Sequence, residues 1–431
     1  MARPLRFCHL SSFYPPYSFG GDGMYLHRLV NLLARQGHEV DVIHCVDSYK
    51  VLARREPELK FSNHPNVTVH SLRSRLGFLS PLIAQQTGST WPKTTSILEV
   101  LYSKKFDVIH YHNISLLGPK VMQLKPDYKD FVKLYTTHEH WLVCPMHVLW
   151  KNNERLCEKP ECLRCTIKFG RPPQWWRYTD LLESCVNTVD AFISPSLFTR
   201  QMHEERGFKS PMAVVPNFVP EQEPGSLPDE PSPHSRPYFL FVGRLEKIKG
   251  VDTLLSIFDG YRHADLLIVG TGTYEAELRR RAEGMSHVHF LGALPQDRIR
   301  GFYRHAMAVL VPSICYEVFG LIIVEAYQQR TPVIAHALGG LTELVEQSQG
   351  GFLYHKPDEL LAAMERLRTD PALRREMGDR GYQMYGKRWS EGAHLEAYFG
   401  LLEETARRKL GSVPWHQQAS LSKQFSQGGR P

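Results

Sequence analysis

The chain has 431 residues, enough for two domains of about 200 residues each. Its 42% hydrophobic and 23% charged content is ordinary for a soluble globular protein and excludes a disordered or fibrous one. The net charge of +7 is uneven, with 27 Lys and Arg against 19 Asp and Glu in residues 1–218 and 25 against 26 in the rest. A basic first half suits an acidic acceptor, an anionic membrane surface or nucleic acid, or is simply a solvated face. No nucleic-acid-binding motif accompanies it, so nucleic acid is set aside. No run of roughly 18 apolar residues is present to cross a membrane. The apolar run of Met1–Leu10 stops at His9, so a secretory leader is not expected and the cytoplasm is the expected compartment.

Leu5–Leu10 reads as a short buried strand, followed by a Pro-, Tyr- and Gly-rich loop over Tyr14–Gly23. Met24–Gln36 then carries Leu26, Leu29, Val30, Leu32 and Leu33 at nearly helical spacing, with Gly37 as its stop. Strands are predicted at Glu39–Cys45, Val67–Leu72, Phe106–Tyr111, Val132–Thr136 and Ala191–Ser194, with helical material between several of them. A proline-rich stretch around 216–237 marks an interdomain linker. The pattern then restarts with strands at Tyr238–Val242, Asp265–Val269, His287–Leu291, Ala308–Val311 and Pro332–Ala335. Alternating strands and helices imply parallel sheets covered on both faces. The expected organisation is a first Rossmann-like domain at 1–218, a linker at 219–237, a second domain at 238–385 and a crossover helix at 386–410. Residues 411–431 are Gln- and Ser-rich and read as a disordered tail.

The most informative segment is Pro312–Ala326, which places Glu317 and Glu325 eight residues apart. With a helix beginning near Val318, that is roughly 12 Å of rise. Such a distance is too long for acids sharing a proton and suits two acids gripping opposite ends of a polyhydroxylated ligand. The amides of Phe319, Gly320 and Leu321 at the helix start would welcome a phosphate between them. Sugar, diphosphate and ribose in that order describe a nucleotide sugar.

Other residues fit the same ligand. Gly20 and Gly21 lie between the first strand and helix, where backbone can approach a phosphate closely, although most Gly-Gly pairs are turns. Arg244 and Lys249 end the first strand of the second domain in GRLEKIKG and suit a diphosphate, with Lys247 as a spare facing solvent. His138 and His140 close a strand of the first domain, where a histidine can exchange a hydrogen bond with a substrate hydroxyl. Local chemistry does not choose between the two.

Two further clusters stand apart. Cys144, Cys157, Cys162 and Cys165 form C-x12-C-x4-C-x2-C, a set that four thiolates would use to hold a closed structural zinc. Buried free thiols and a redox role are the alternatives. Lys168–Tyr178 interleaves cations with Trp175, Trp176 and Tyr178, which suits a membrane interface or an acceptor-binding lip, or else aromatics packed beneath a loop.

Taken together these residues resemble family 4 retaining glycosyltransferases of the GT-B fold, over about residues 5–400. The likeness rests on the family's E-x7-E at Glu317 and Glu325, on GRLEKIKG at 243–250, GTG at 270–272, PVIAHALGGLTELV at 332–345, DVIHYHN at 107–113 and TTHEHWLVCP at 136–145. The last, with its downstream cysteines, resembles a subgroup with a Cys-rich insertion. The resemblance implies two Rossmann-like domains facing across a cleft, with C-terminal helices packed back on the first. It implies Arg244 and Lys249 on the donor diphosphate, and Glu317 facing the transferred sugar. It also implies amides of Val318, Phe319, Gly320 and Leu321 on sugar and phosphate, and Glu325 on the ribose. Gly20 and Gly21 would lie by the phosphate, and His138 near the reacting carbon. The chemistry would need no metal. Two departures are noted: Arg330 stands where the family has Gly, and Asn217-Phe218 where its linker reads Asn-Gly. The expected activity is transfer of a hexosyl group from a nucleoside-diphosphate sugar to a glycan, lipid-linked or other hydroxyl acceptor, by a cytoplasmic protein for which peripheral contact with the inner face of the membrane is a further option. A nucleotide-sugar epimerase and a non-catalytic nucleotide-sugar-binding protein are the rivals.

Overall fold

The computed structural model describes residues 3–53, 56–57, 60–221 and 231–416. Two parallel sheets organise it. The first is β3-β2-β1-β4-β5-β8-β9, from β1 (Arg6–Ser11), β2 (Glu39–Cys45), β3 (Val67–Leu72), β4 (Val108–Tyr111), β5 (Val132–Thr136), β8 (Ala191–Ser194) and β9 (Met212–Val214). Between β5 and β8 lies a two-stranded hairpin of β6 (Trp150–Lys151) and β7 (Arg155–Leu156). The second sheet is β12-β11-β10-β13-β14-β15, from β10 (Tyr238–Val242), β11 (Asp265–Val269), β12 (Val288–Gly292), β13 (Val309–Val311), β14 (Val333–His336) and β15 (Gly351–Tyr354). Central strands such as Tyr238–Val242 and Asp265–Val269 are buried throughout, as the helix layers on both faces of a parallel sheet require. Each sheet reverses its strand order at its first strand, between β1 and β4 and between β10 and β13. Loops at such a switch point open a crevice beyond the carboxyl ends of the strands.

The chain crosses between the domains twice, and the crossings touch where the Val219 amide donates to the Trp389 carbonyl at 3.0 Å. After Trp389 the helix Glu391–Leu410 returns to the first domain, where Tyr398, Leu402 and Ala406 join the core of Phe7, Leu29, Leu33 and Val108. The expected return of the C-terminal helices is therefore observed. Residues 411–416 of the expected tail are ordered instead, since Val413 and Trp415 are buried in the same core and the Arg3 amide donates to the Trp415 carbonyl. Residues 417–431, and 222–230 of the expected linker, lie outside the described residues.

Both departures from the family pattern have structural counterparts. Arg330 adopts left-handed backbone at φ 58°, where a glycine would sit without cost, and its guanidinium stacks 3.9 Å from the Tyr382 ring centroid. Phe218 is fully buried, stacked on His394 at 4.6 Å between the first domain and the returning helix.

Candidate active site

The loops at the two switch points carry the sequence-predicted residues. After β1, Gly20 caps the helix Gly21–Arg35 with φ 139° and ψ −141°, a conformation that essentially only glycine adopts. A methyl group placed on Gly20 would lie 3.8 Å from the Arg244 side chain, and one on Gly21 would lie 3.5 Å from Leu321. The first domain's glycine loop thus meets the second domain's cationic loop and helix start directly. Arg244 is half exposed beside it and pairs with Glu246 at 2.8 Å. Lys247 is exposed, as expected.

Lys249 and Glu317 form the centre of the second-domain loops. Lys249 Nζ donates to Glu317 Oε1 at 2.6 Å, and the Ser313 hydroxyl donates to the same oxygen at 2.7 Å. Burial alone would raise the Glu317 pKa, but Lys249, Ser313 and Arg244 outweigh it and hold the carboxyl below its ordinary range. Burial likewise opposes charge on Lys249, and Glu317 outweighs it, so the pair is ionised near neutrality.

The helix after Glu317 starts at Leu321 with Gly320 as its cap, not near Val318. Residues 317–320 instead form a loop. The hydroxyls of Ser196 and Thr199, from the first domain, donate to the Val318 carbonyl at 2.7 and 3.1 Å, while the Gly340 amide donates to the Glu317 carbonyl at 2.8 Å. The amides of Phe319, Gly320 and Leu321 have no acceptor among the described residues. They remain available to an anion at the helix start.

Glu325, one and a half turns into that helix, is more enclosed than its spacing suggested. Its Oε1 accepts from Arg28 at 2.6 Å across the domain boundary, and its Oε2 accepts from the Tyr303 hydroxyl at 2.9 Å. An ionised carboxylate has about four acceptor sites, so two remain for a ligand's hydroxyls. Arg28 Nη1 is buried beside it without a partner among the described residues.

The two histidines after β5 part company. His140 is buried against His203, with both ring nitrogens unpaired among the described residues. His138 is half-buried near Asp22 and packs against Tyr25 at 4.9 Å. Its Nε2 is 2.9 Å from His112 Nδ1, and His112 Nε2 is in turn 3.0 Å from His9 Nδ1. Burial pushes His138 down to about 4, partly opposed by Asp22, and His9 down to about 3, so the chain of rings is neutral. His9, His110 and His112 lie close enough to suggest a metal site. Both nitrogens of His110 and of His112 are committed elsewhere, however, since His110 bonds Tyr398 and Thr136 and His112 bonds its two neighbours, which leaves only His9 Nε2 open.

The cysteines also come together: Cys144, Cys157, Cys162 and Cys165 line one small cavity with Trp150, Lys151 and Glu161. Sequence reasoning missed Asp22, Arg28, His112, Ser196, Thr199 and Tyr303. The HYHN run containing His112 was a visible signal; the others act through long-range contacts that no local pattern announces.

Two facing Rossmann-like domains whose switch-point loops meet define the GT-B architecture. The comparisons agree with this. Residues 19–223 match the model for glycosyltransferase family 4, and residues 226–384 match that for glycosyl transferases group 1. The chain is a family 4-like glycosyltransferase of the GT-B type. An uncharacterized glycosyltransferase of Methanocaldococcus jannaschii is 27% identical over 83% of this chain and 87% of its own length. The D-inositol 3-phosphate glycosyltransferase of Acidothermus cellulolyticus is 34% identical over 40% of this chain and 42% of its own. Among solved structures, sucrose-phosphate synthase of Thermosynechococcus elongatus superposes with a TM-score of 0.66 at 20% identity, covering 99% of this chain and all of that one. Anabaena HepE bound to UDP and glucose superposes with a TM-score of 0.64 at 18% identity, covering 93% of this chain and 100% of its own.

Proposed function

We propose that the chain is a retaining glycosyltransferase that moves a hexosyl group from a nucleoside-diphosphate sugar to a hydroxyl of a glycan or lipid-linked acceptor. The observation that carries this reading is the ionised Lys249–Glu317 pair beside Arg244, held opposite Gly20 and Gly21. Arg244, Lys249 and the amides of Phe319, Gly320 and Leu321 take the diphosphate and stabilise the charge that develops as it leaves. Glu317 faces the sugar, Glu325 takes the ribose with Arg28 beside it, and His138 contacts the sugar near the reacting carbon. Two side-chain cations supply the charge stabilisation, so the transfer needs no metal. In this reading no carboxylate serves as a covalent nucleophile. The acceptor therefore attacks from the face the nucleotide leaves, and the departing phosphate helps to remove its proton.

UDP sugars are the first donors to test, because Anabaena HepE was solved with UDP-glucose. The acceptor approaches along the basic first domain. There Trp175 and Tyr178 are about 60% exposed near Phe78, Leu79 and Leu82, a surface suited to the membrane interface. Among the described residues no helix is long and apolar enough to cross a membrane.

A thermal-shift and hydrolysis screen of UDP-, GDP- and ADP-sugars identifies the donor. With that donor, Lys249→Ala and Glu317→Ala are expected to lower transfer by at least about 100-fold in folded protein. Full activity in both variants would sink the site assignment, and sugar interconversion without an acceptor would favour an epimerase.

A further inference from the structure

The cysteine-bearing segment 144–165 is ordered by more than its own core. Its buried apolar side chains are Cys144, Pro145, Met146, Leu149, Trp150, Cys157 and Cys165, its strands β6 and β7 have two residues each, and its helix Cys162–Lys168 has seven. Seven side chains fall short of the ~1–2 kcal/mol per residue of backbone entropy lost on ordering such a segment. The backbone is also strained here. Of six non-glycine residues at positive φ among those described, four lie in it: His147, Leu149, Asn152 and Asn153, at 73°, 48°, 58° and 61°. Such conformations persist where something else over-determines them.

The chemistry at the centre supplies a reason. Four free thiols converge on a cavity of about 10 Å³, room for roughly one atom-sized occupant. The Asn152 backbone N–H donates to Cys165 Sγ at 3.2 Å. Lys151 lines the cavity and pairs with Glu161 at 2.5 Å, the half-buried Arg177 guanidinium lies over the Trp141 ring at 5.1 Å, and Arg206 donates to the Cys157 carbonyl at 2.7 Å. Two arginines beside the module suit a centre whose net charge, with four thiolates and a divalent ion, is −2.

We propose that Cys144, Cys157, Cys162 and Cys165 bind one structural zinc ion that fixes this module against the second domain. Each thiol gives its proton to solvent as its sulfur binds, so one Zn²⁺ replaces four protons and affinity falls with falling pH. Zn–S bonds of ~2.3 Å in a tetrahedron set the sulfurs ~3.8 Å apart. No three of them now lie within 4.8 Å of one another, so binding draws the 144–149 turn and the CxxC helix together. The module packs on Met202 and Tyr316, and Tyr316 immediately precedes Glu317 and contacts Phe198 of the first domain at 5.3 Å. A zinc here would brace the loop that carries the donor-site acid from outside the cleft.

The test is metal analysis of the full-length chain purified in a reductant without added metal. One zinc per chain is expected, released in step with the blocking of four thiols by a mercurial reagent. Exchange for cobalt(II) should give sulfur-to-metal charge-transfer absorption. Cys162→Ser and Cys165→Ser should each drop zinc below a tenth of an equivalent, whereas Cys185→Ala, outside the module, should keep it. If a serine variant does not fold, the wild-type measurements still decide. Less than a tenth of an equivalent of zinc in the wild type, with four thiols that react at once, overturns the proposal, and so do two disulfides in unreduced peptides. Zinc content does not depend on transfer, so a zinc-loaded but inactive chain would keep this site and sink the donor reading instead.

Discussion

His138 faces the cleft with one ring nitrogen already committed. Each contact in the series His9–His112–His138 holds one proton, so the three neutral rings must share a direction. With protons on Nε2 throughout, His9 would bury an N–H that has no acceptor, since its Nε2 is unpaired. Buried orphan N–H groups are rarer than buried lone pairs left free. The rings should therefore carry their protons on Nδ1, leaving His138 Nδ1–H as a donor toward the cleft. Nitrogen-15 NMR of histidine-labelled protein should show a protonated Nδ1 at His138. A protonated Nε2 there would reverse the direction of the series. His112→Leu should free that choice and lower kcat about 10-fold or more with little change in donor KM, and His112→Asn should recover part of it.

At the scale of elements, the donor loop depends on a helix that approaches it without a side chain. A methyl group on Gly340, at the start of the helix Gly340–Ser348, would lie 2.8 Å from the Val318 carbonyl oxygen and 2.9 Å from that of Glu317. Gly340→Ala should therefore push the Glu317 loop out of place. The expected result is a loss in kcat/KM of about 10–100-fold with a modest fall in Tm; unchanged kinetics would mean that the loop is free to move. The paired glycines of HALGG were visible in the sequence only as part of a resemblance, and their physical role emerges once the two loops are seen in contact. The central strands were legible because buried parallel strands are unbroken apolar runs, as in YFLFV and DLLIV. β9 and β15 were not, being short edge strands of three and four residues that carry little pattern. The helix start at Leu321 was misplaced because apolar residues run on from Val318 while the carbonyl bonds to Ser196 and Thr199 hold that stretch as a loop.

Over the whole molecule, burial keeps many histidines neutral. It pushes His9 down to about 3 and His44, His138, His203 and His394 down to about 4, from an ordinary value near 6.5. Between those values and 6.5 the unfolded chain binds more protons than the folded one, so stability rises with pH through that window. Tm should hold above about pH 6.5 and fall progressively toward pH 4, more steeply than a single histidine would cause. A flat Tm over that range would show that these rings are reached by protons in the fold. The closed relation of the two domains could not be read in advance, because Arg28 and Glu325 are 297 residues apart and nothing local pairs them.

The double crossing at Val219 and Trp389 also sets an order of assembly. The second domain is one uninterrupted stretch, whereas the first is completed only by residues 391–415, including Tyr398, Leu402 and Trp415. On the ribosome the second domain is therefore whole while the first still lacks one wall of its core. Fragment 219–389 should fold alone with a cooperative melt, and fragment 1–218 should bind a hydrophobic dye until a 390–416 peptide is added. Cooperative folding of 1–218 by itself would refute this order. The residues that close the first domain are thus made only after the whole of the second.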